Sequence, residues 1–152
     1  MSKPLMCFEE VRALLKQRFP MIMVDNVLAL EPGRSIRATK NVTGNEIQLL
    51  GHFPEYAVMP GSMILEAIGQ AASILFSKTT GTGTGAGEFL VLGLVDDMRF
   101  LVPVTPGDQM EISVDVAKIV KDVAFVKGVV TVGDIVVATG KLGFARRRLQ
   151  AI

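Results

Sequence analysis

The chain of 152 residues has no tryptophan, one tyrosine, one cysteine and one histidine. Each scarcity excludes something. With Cys7 alone, no disulfide can form within the chain, and this cysteine usage suits a reducing compartment, so a cytoplasmic location is expected. A single histidine and a single cysteine without ligand spacing give no basis for a zinc site, and no metal is expected. Aromatic residues make up 6% of the chain and the formal net charge is +1, so neither base stacking nor a basic field points to nucleic acid. The apolar runs break at Gly, Asp, Glu or Lys well short of a membrane span, and no leader pattern opens the chain.

Hydrophobic residues, in contrast, are abundant at 49%. That content suits one domain over residues 1–152 with a sizeable core, some of it buried between subunits. Residues 7–17 show helical spacing, with Phe8, Val11, Leu14 and Leu15 on one face, and Pro20 follows as a stop. Residues 21–30 and 35–42 read as two strands around the turn signal Glu31-Pro32-Gly33-Arg34. Thr43 to Glu46 read as a turn or a short helix start, and the segment from there through Pro60, with two prolines, as irregular. Residues 62–79 then carry good helix formers that are apolar around nearly the whole circumference, the mark of a helix buried on most sides. Residues 80–87, TGTGTGAG, read as a loop. Their Gly-x-Gly-x-x-Ala follows a helix instead of a strand and lacks a Lys-Ser/Thr, so a nucleotide site is not supported. Strands are expected at 89–100, 110–120, 124–132 and 135–145, with Gly93 as a bulge and Gly133-Asp134 as a hairpin turn. Arg146, Arg147 and Arg148 read as a solvated basic end. One long apolar helix among about six strands implies an α+β architecture, a curved antiparallel sheet wrapped around the helix.

Residues 51–70, GHFPEYAVMPGSMILEAIGQ, carry the chemistry. The only histidine, His52, precedes Met59-Pro60-Gly61, and Glu66 is a lone carboxylate in the apolar helix. An imidazole titrates near neutrality and an apolar setting favours a protonated carboxyl, so the two suit a general base and a general acid. Gln70 stands one turn beyond Glu66, placed to hydrogen-bond it or simply to pack.

The run GHFP…VMPG…ILEAIGQAA resembles the β-hydroxyacyl-carrier-protein dehydratases of fatty-acid synthesis. RFPMIMVDNVLALEPGRSIRATKNVTGNE resembles their opening hairpin, and MRFLVPVTPGDQMEISV their later strand–turn–strand. The resemblance implies the hot-dog fold, with the helix beginning near Gly61 as the sausage. It implies a dimer, often a trimer of dimers, whose active site takes the histidine from one subunit and the acid from the other. A hetero-oligomer with another hot-dog subunit is a further option. Glutamate at the acid position resembles the branch that dehydrates only; the branch with aspartate there also isomerises. The substrate would be a (3R)-3-hydroxyacyl chain on the phosphopantetheine of an acyl carrier protein, with no cofactor of the enzyme's own. His52 would remove the C2 proton, Glu66 would protonate the leaving hydroxyl, and the Gly61 amide would polarise the thioester carbonyl. Phe53, Met59 and Met63 are candidates for lining an acyl tunnel, plain core being the other reading.

The chain departs from the family pattern at Gln17, where a histidine is common, at Ala57, often proline, and at Leu101-Val102, often basic. The last of these bears on carrier-protein docking, for which Lys78, Arg99 and Arg146 to Arg148 are guesses, and leaves room for a polyketide or polyene pathway. A hot-dog thioesterase reusing Glu66, or a non-catalytic acyl-binding or assembly subunit, would be the other readings of such a chain.

Overall fold

Tight turns between β-branched runs build the sheet. The computed structural model describes residues 3–81 and 87–148, so the middle of the glycine-rich loop, 82–86, lies outside the described residues. The element order is α1 (Phe8–Leu14), β1 (Asn26–Glu31), β2 (Ser35–Asn41), α2 (Ile47–His52), α3 (Gly61–Thr80), β3 (Glu88–Phe100), β4 (Gln109–Val120), β5 (Val123–Val132) and β6 (Ile135–Arg148). The six strands form one antiparallel sheet in the order β1-β2-β4-β5-β6-β3. The pairs Val120↔Val123 and Val132↔Ile135 close two-residue turns, at Lys121-Asp122 and at the expected Gly133-Asp134. A register shift between Leu92 and Leu94 places a bulge at Gly93, as its position in a strand suggested.

Helix α3 packs on β2, β4 and β5. Ala67, Ile68, Ala71, Ala72, Ile74 and Leu75 are all fully buried, which accounts for the near-continuous apolar sequence. Ser62, Glu66, Gly69, Ser73, Ser77 and Thr80, none of them buried, recur at helical spacing along one stripe. Helix and sheet meet closely at Gly128, where an added Cβ would stand 2.5 Å from Ile68 Cγ2. The architecture is the expected α+β sheet around a long central helix.

Four local expectations need correction. Helix α1 stops at Leu14 rather than running to residue 17, because the Arg18 guanidinium donates to the carbonyls of Leu15 at 2.9 Å and Gln17 at 2.7 Å and holds a turn there. Strand β1 starts at Asn26 rather than Met21, because the backbone of Met21 and Met23 bonds to the side chain of Gln70. The segment before Pro60 is not irregular throughout: the turn or short helix start expected at 43–46 leads into α2. Its N-cap Glu46 is tied to Lys40 by an ion pair of 2.6 Å between side chains only 12% and 9% exposed, and Leu49 is buried. A helix of 6 residues depends on such tertiary contacts, so its periodicity is too short to read. Finally, β6 runs on through Arg146 to Arg148, which are solvent-exposed as expected but belong to the strand. Arg146 pairs with Asp122 at 2.6 Å and Arg148 with Glu88 at 3.1 Å.

At the start of α1, the Cys7 N–H donates to Glu10 Oε2 at 2.8 Å. This bond holds the Glu10 carboxyl below its usual range, so the cap is present at neutral pH and released as pH falls through that lowered value. Gly128→Val should force Ile68 away from the sheet and destabilise the fold by about 1–3 kcal/mol, read as a lowered Tm in thermal unfolding.

Candidate active site

His52 is the last residue of α2, and Nδ1 lies 3.1 Å from the carbonyl oxygen of Val58. A carbonyl only accepts, so Nδ1 carries the hydrogen and the lone pair is on Nε2. The ring of Phe53 stands 4.0 Å from that of His52, centroid to centroid, and is largely exposed. Imidazole orientation is thus set by the chain's own return from α2 towards Pro60.

Helix α3 begins at Gly61, with Pro60 as its N-cap. The Pro60 carbonyl accepts from Met63 N–H at 2.9 Å and Ile64 N–H at 3.1 Å. Among the described residues the amides of Gly61 and Ser62 have no acceptor, as expected for the first helical turn. These amides and the helix dipole favour an oxygen carrying partial negative charge. The ring of Phe100 lies over Gly61: a Cβ on this glycine would stand 2.9 Å from Phe100 Cζ. Only a residue without a side chain fits beneath that ring as it stands.

Glu66 lies on the partly exposed stripe of α3, and its Oε1 accepts from Gln70 Nε2 at 2.8 Å and from Gln17 Nε2 at 3.4 Å. Gln70 is 1% exposed and fully used. Its Oε1 accepts from Met23 N–H at 2.7 Å, and its Nε2 also donates to the Met21 carbonyl at 2.6 Å. Gln70 therefore does hydrogen-bond Glu66 rather than merely pack. No hydrogen bond or ion pair joins His52 to Glu66 within the chain among the described residues.

A cavity of about 130 Å³ opens further along the same side of α3, lined by Leu14, Gln17, Ser73, Phe76, Ser77 and Leu90 among others. Phe53, Met59 and Met63 are not in its lining. Met59 is buried in the core with its N–H on the Val104 carbonyl, and Met63 packs partly buried against that core. Several features of the site left no clear mark in the sequence: the Val58 carbonyl on His52, the Phe100 ring on Gly61, and the Met21–Met23 backbone on Gln70. Gln17 did stand out, as an unusual residue before Arg18-Phe19-Pro20, but nothing linked it to Glu66.

Residues 15–141 match the FabA-like domain family. A 3-hydroxyacyl-acyl-carrier-protein dehydratase FabZ of Blochmanniella floridana is 44% identical over 92% of both chains. The protein of the same name from Vibrio atlanticus is 41% identical over 91% of both. Among solved structures, the dehydratase heterocomplex ApeI:P from Xenorhabdus doucetiae superposes with a TM-score of 0.77, covering 97% of this chain and 93% of that one at 17% identity, a likeness of fold. The chain belongs to the FabA-like domain family. Within it, the chain is a dehydratase, a hydro-lyase of the kind its FabZ relatives represent. No helix among the described residues is long and apolar enough to cross a membrane, and no group of three or more His, Cys, Asp or Glu side chains there is placed to hold a metal ion.

Gln70→Leu should leave the buried Met23 N–H without its acceptor and free Glu66. It should cost about 1–3 kcal/mol in chemical denaturation and lower the dehydration rate as well.

Proposed function

We propose that this chain removes water from (3R)-3-hydroxyacyl groups held as thioesters on the phosphopantetheine of an acyl carrier protein, giving the trans-2-enoyl thioester. The carrying observation is the relatives' shared name at 44% identity, together with a carboxyl that Gln70 fixes on the central helix. The chemistry needs no redox change, and no cofactor is invoked. His52 Nε2 takes the proton from C2 while the Gly61 amide donates to the thioester oxygen, where negative charge develops. Glu66 gives its proton to the C3 hydroxyl. The C3–O bond breaks as the C2=C3 bond forms, and water leaves. His52 then returns its proton to Glu66, through water or directly, to reset the site. The pathway is fatty-acid or polyketide and polyene synthesis in the cytoplasm, with an acidic carrier protein as partner.

The reacting groups make separate contacts within one chain, and the edge of the sheet offers a remedy. Strand β3 pairs only with β6, and its residues Val91, Leu92, Leu94 and Val95 point to both faces yet are each 40–49% exposed. An apolar edge of this kind is rarely left open to water. Pairing it with the same strand of a second copy would bury these side chains and set His52 of one protomer facing Glu66 of the other.

Turnover of a (3R)-3-hydroxyacyl carrier protein, followed by mass spectrometry, should show loss of one water. His52→Ala and Glu66→Gln should each slow it by about 10²–10⁴-fold while remaining folded. Release of free acid instead would indicate a thioesterase, and acyl binding without turnover a non-catalytic subunit. Mixing the two inactive variants after subunit exchange should restore up to about a quarter of the wild-type rate, since half of the random dimers would hold one intact site of two. No recovery from exchanged dimers would mean that each site is built within one chain.

A further inference from the structure

Position 17 is where a second amide, from a distant segment, reaches the carboxyl of α3. We propose that Gln17 is a positioning residue for Glu66: together with Gln70 it commits Oε1 to accepting hydrogen bonds, so that Oε2 is the oxygen that delivers the proton. The proposal rests on the reading of Glu66 as the acid.

Two N–H groups converge on Oε1, from Gln70 Nε2 at 2.8 Å and Gln17 Nε2 at 3.4 Å. A proton on Oε1 would face both donors, so the protonated carboxyl is favoured with its hydrogen on Oε2. Oε2 has no partner among the described residues. The one buried side-chain atom left without a partner there is Gln48 Oε1, so Oε2 is reachable from outside the core. A carboxyl held through one oxygen and open at the other is a directed proton donor, and fixing its rotation is an orientation effect on the rate.

Gln17 is built to hold this place. It follows the end of α1 in the turn that Arg18 pins through the carbonyls of Leu15 and Gln17. It is half-buried, and with Leu14 and Leu15 it forms the α1 side of the cavity beside α3. Gln70 is locked by the Met21–Met23 backbone, so it holds Glu66 from the helix side; Gln17 holds it from the opposite segment. The two donors come from different parts of the chain, and a single one would leave the carboxyl free to swing about it.

The test is a double-mutant cycle on kcat and KM with a (3R)-3-hydroxyacyl carrier protein. Gln17→Leu should lower kcat about fivefold to tenfold, the scale of one hydrogen bond, with KM unchanged within about twofold. Gln17→His, which keeps an N–H donor, should stay within about threefold of wild type. Gln17→Met carries the same expectation as Gln17→Leu should the latter fail to fold in thermal unfolding. The double variant Gln17→Leu/Glu66→Gln should be no slower than Glu66→Gln alone, because Gln17 acts through that carboxyl. An unchanged kcat in folded Gln17→Leu or Gln17→Met, no recovery with histidine, or losses that multiply in the double variant would overturn the proposal while leaving Glu66 as the acid. A wild-type rate in Glu66→Gln would overturn both readings.

Discussion

The buried amide of Gln70 joins three parts of the chain at one point. Its oxygen takes the Met23 N–H, and its nitrogen serves the Met21 carbonyl and the Glu66 carboxyl, at 2.6–2.8 Å throughout. A polar side chain at 1% exposure is tolerable only if every donor and acceptor is paired, and here all of them are. The geometry of the Glu66 carboxyl therefore depends on the loop that leads into β1, and the loop in turn depends on the helix. Neither can shift without leaving a buried polar group unpaired. The same interaction explains why β1 begins late and why the carboxyl is presented through one oxygen.

Around that point the fold holds the two candidate proton-transfer groups by different means. Glu66 stands on a rigid helix seated in the sheet, with Ile68 pressed against Gly128. His52 stands at the end of a short helix anchored by the largely buried Lys40–Glu46 ion pair, and a backbone carbonyl fixes its tautomer. Between them the start of α3 offers unpaired amides under the ring of Phe100. The Glu66 carboxyl is held by side-chain amides and the His52 ring by a backbone carbonyl. The long apolar edge of β3 bears on the same question, since no hydrogen bond or ion pair joins the two side chains among the described residues.

Much of this was legible from residue order. The largely apolar circumference of residues 62–79 announces a helix buried on most sides, because so narrow a polar stripe leaves the rest to be covered. The two-residue turns at 121–122 and 133–134 showed as breaks between Val- and Ile-rich runs. Glu66 was conspicuous because few polar residues share its stretch of α3, and His52 because it has no rival. The expected hydrogen bond from Gln70 is present because positions four apart on a helix are neighbours.

The remainder was decided in three dimensions. Helix α2 is too short to carry a period, and its stability comes from Lys40 and Leu49, which local propensity does not see. The loop at 21–25 is β-branched and apolar enough for a strand, yet its hydrogen bonds go to a side chain 47 and 49 residues away. Arg146 to Arg148 look like a loose tail, but backbone pairing with Glu88 to Leu90 makes them part of β6. Gln17 is an ordinary polar residue until the fold brings it across to Glu66. By itself the sequence determined what is buried and which groups can exchange protons, since both follow from residue type and local spacing. Tertiary structure alone decided which donors meet which oxygen, because contacts between distant segments depend on how the chain closes upon itself.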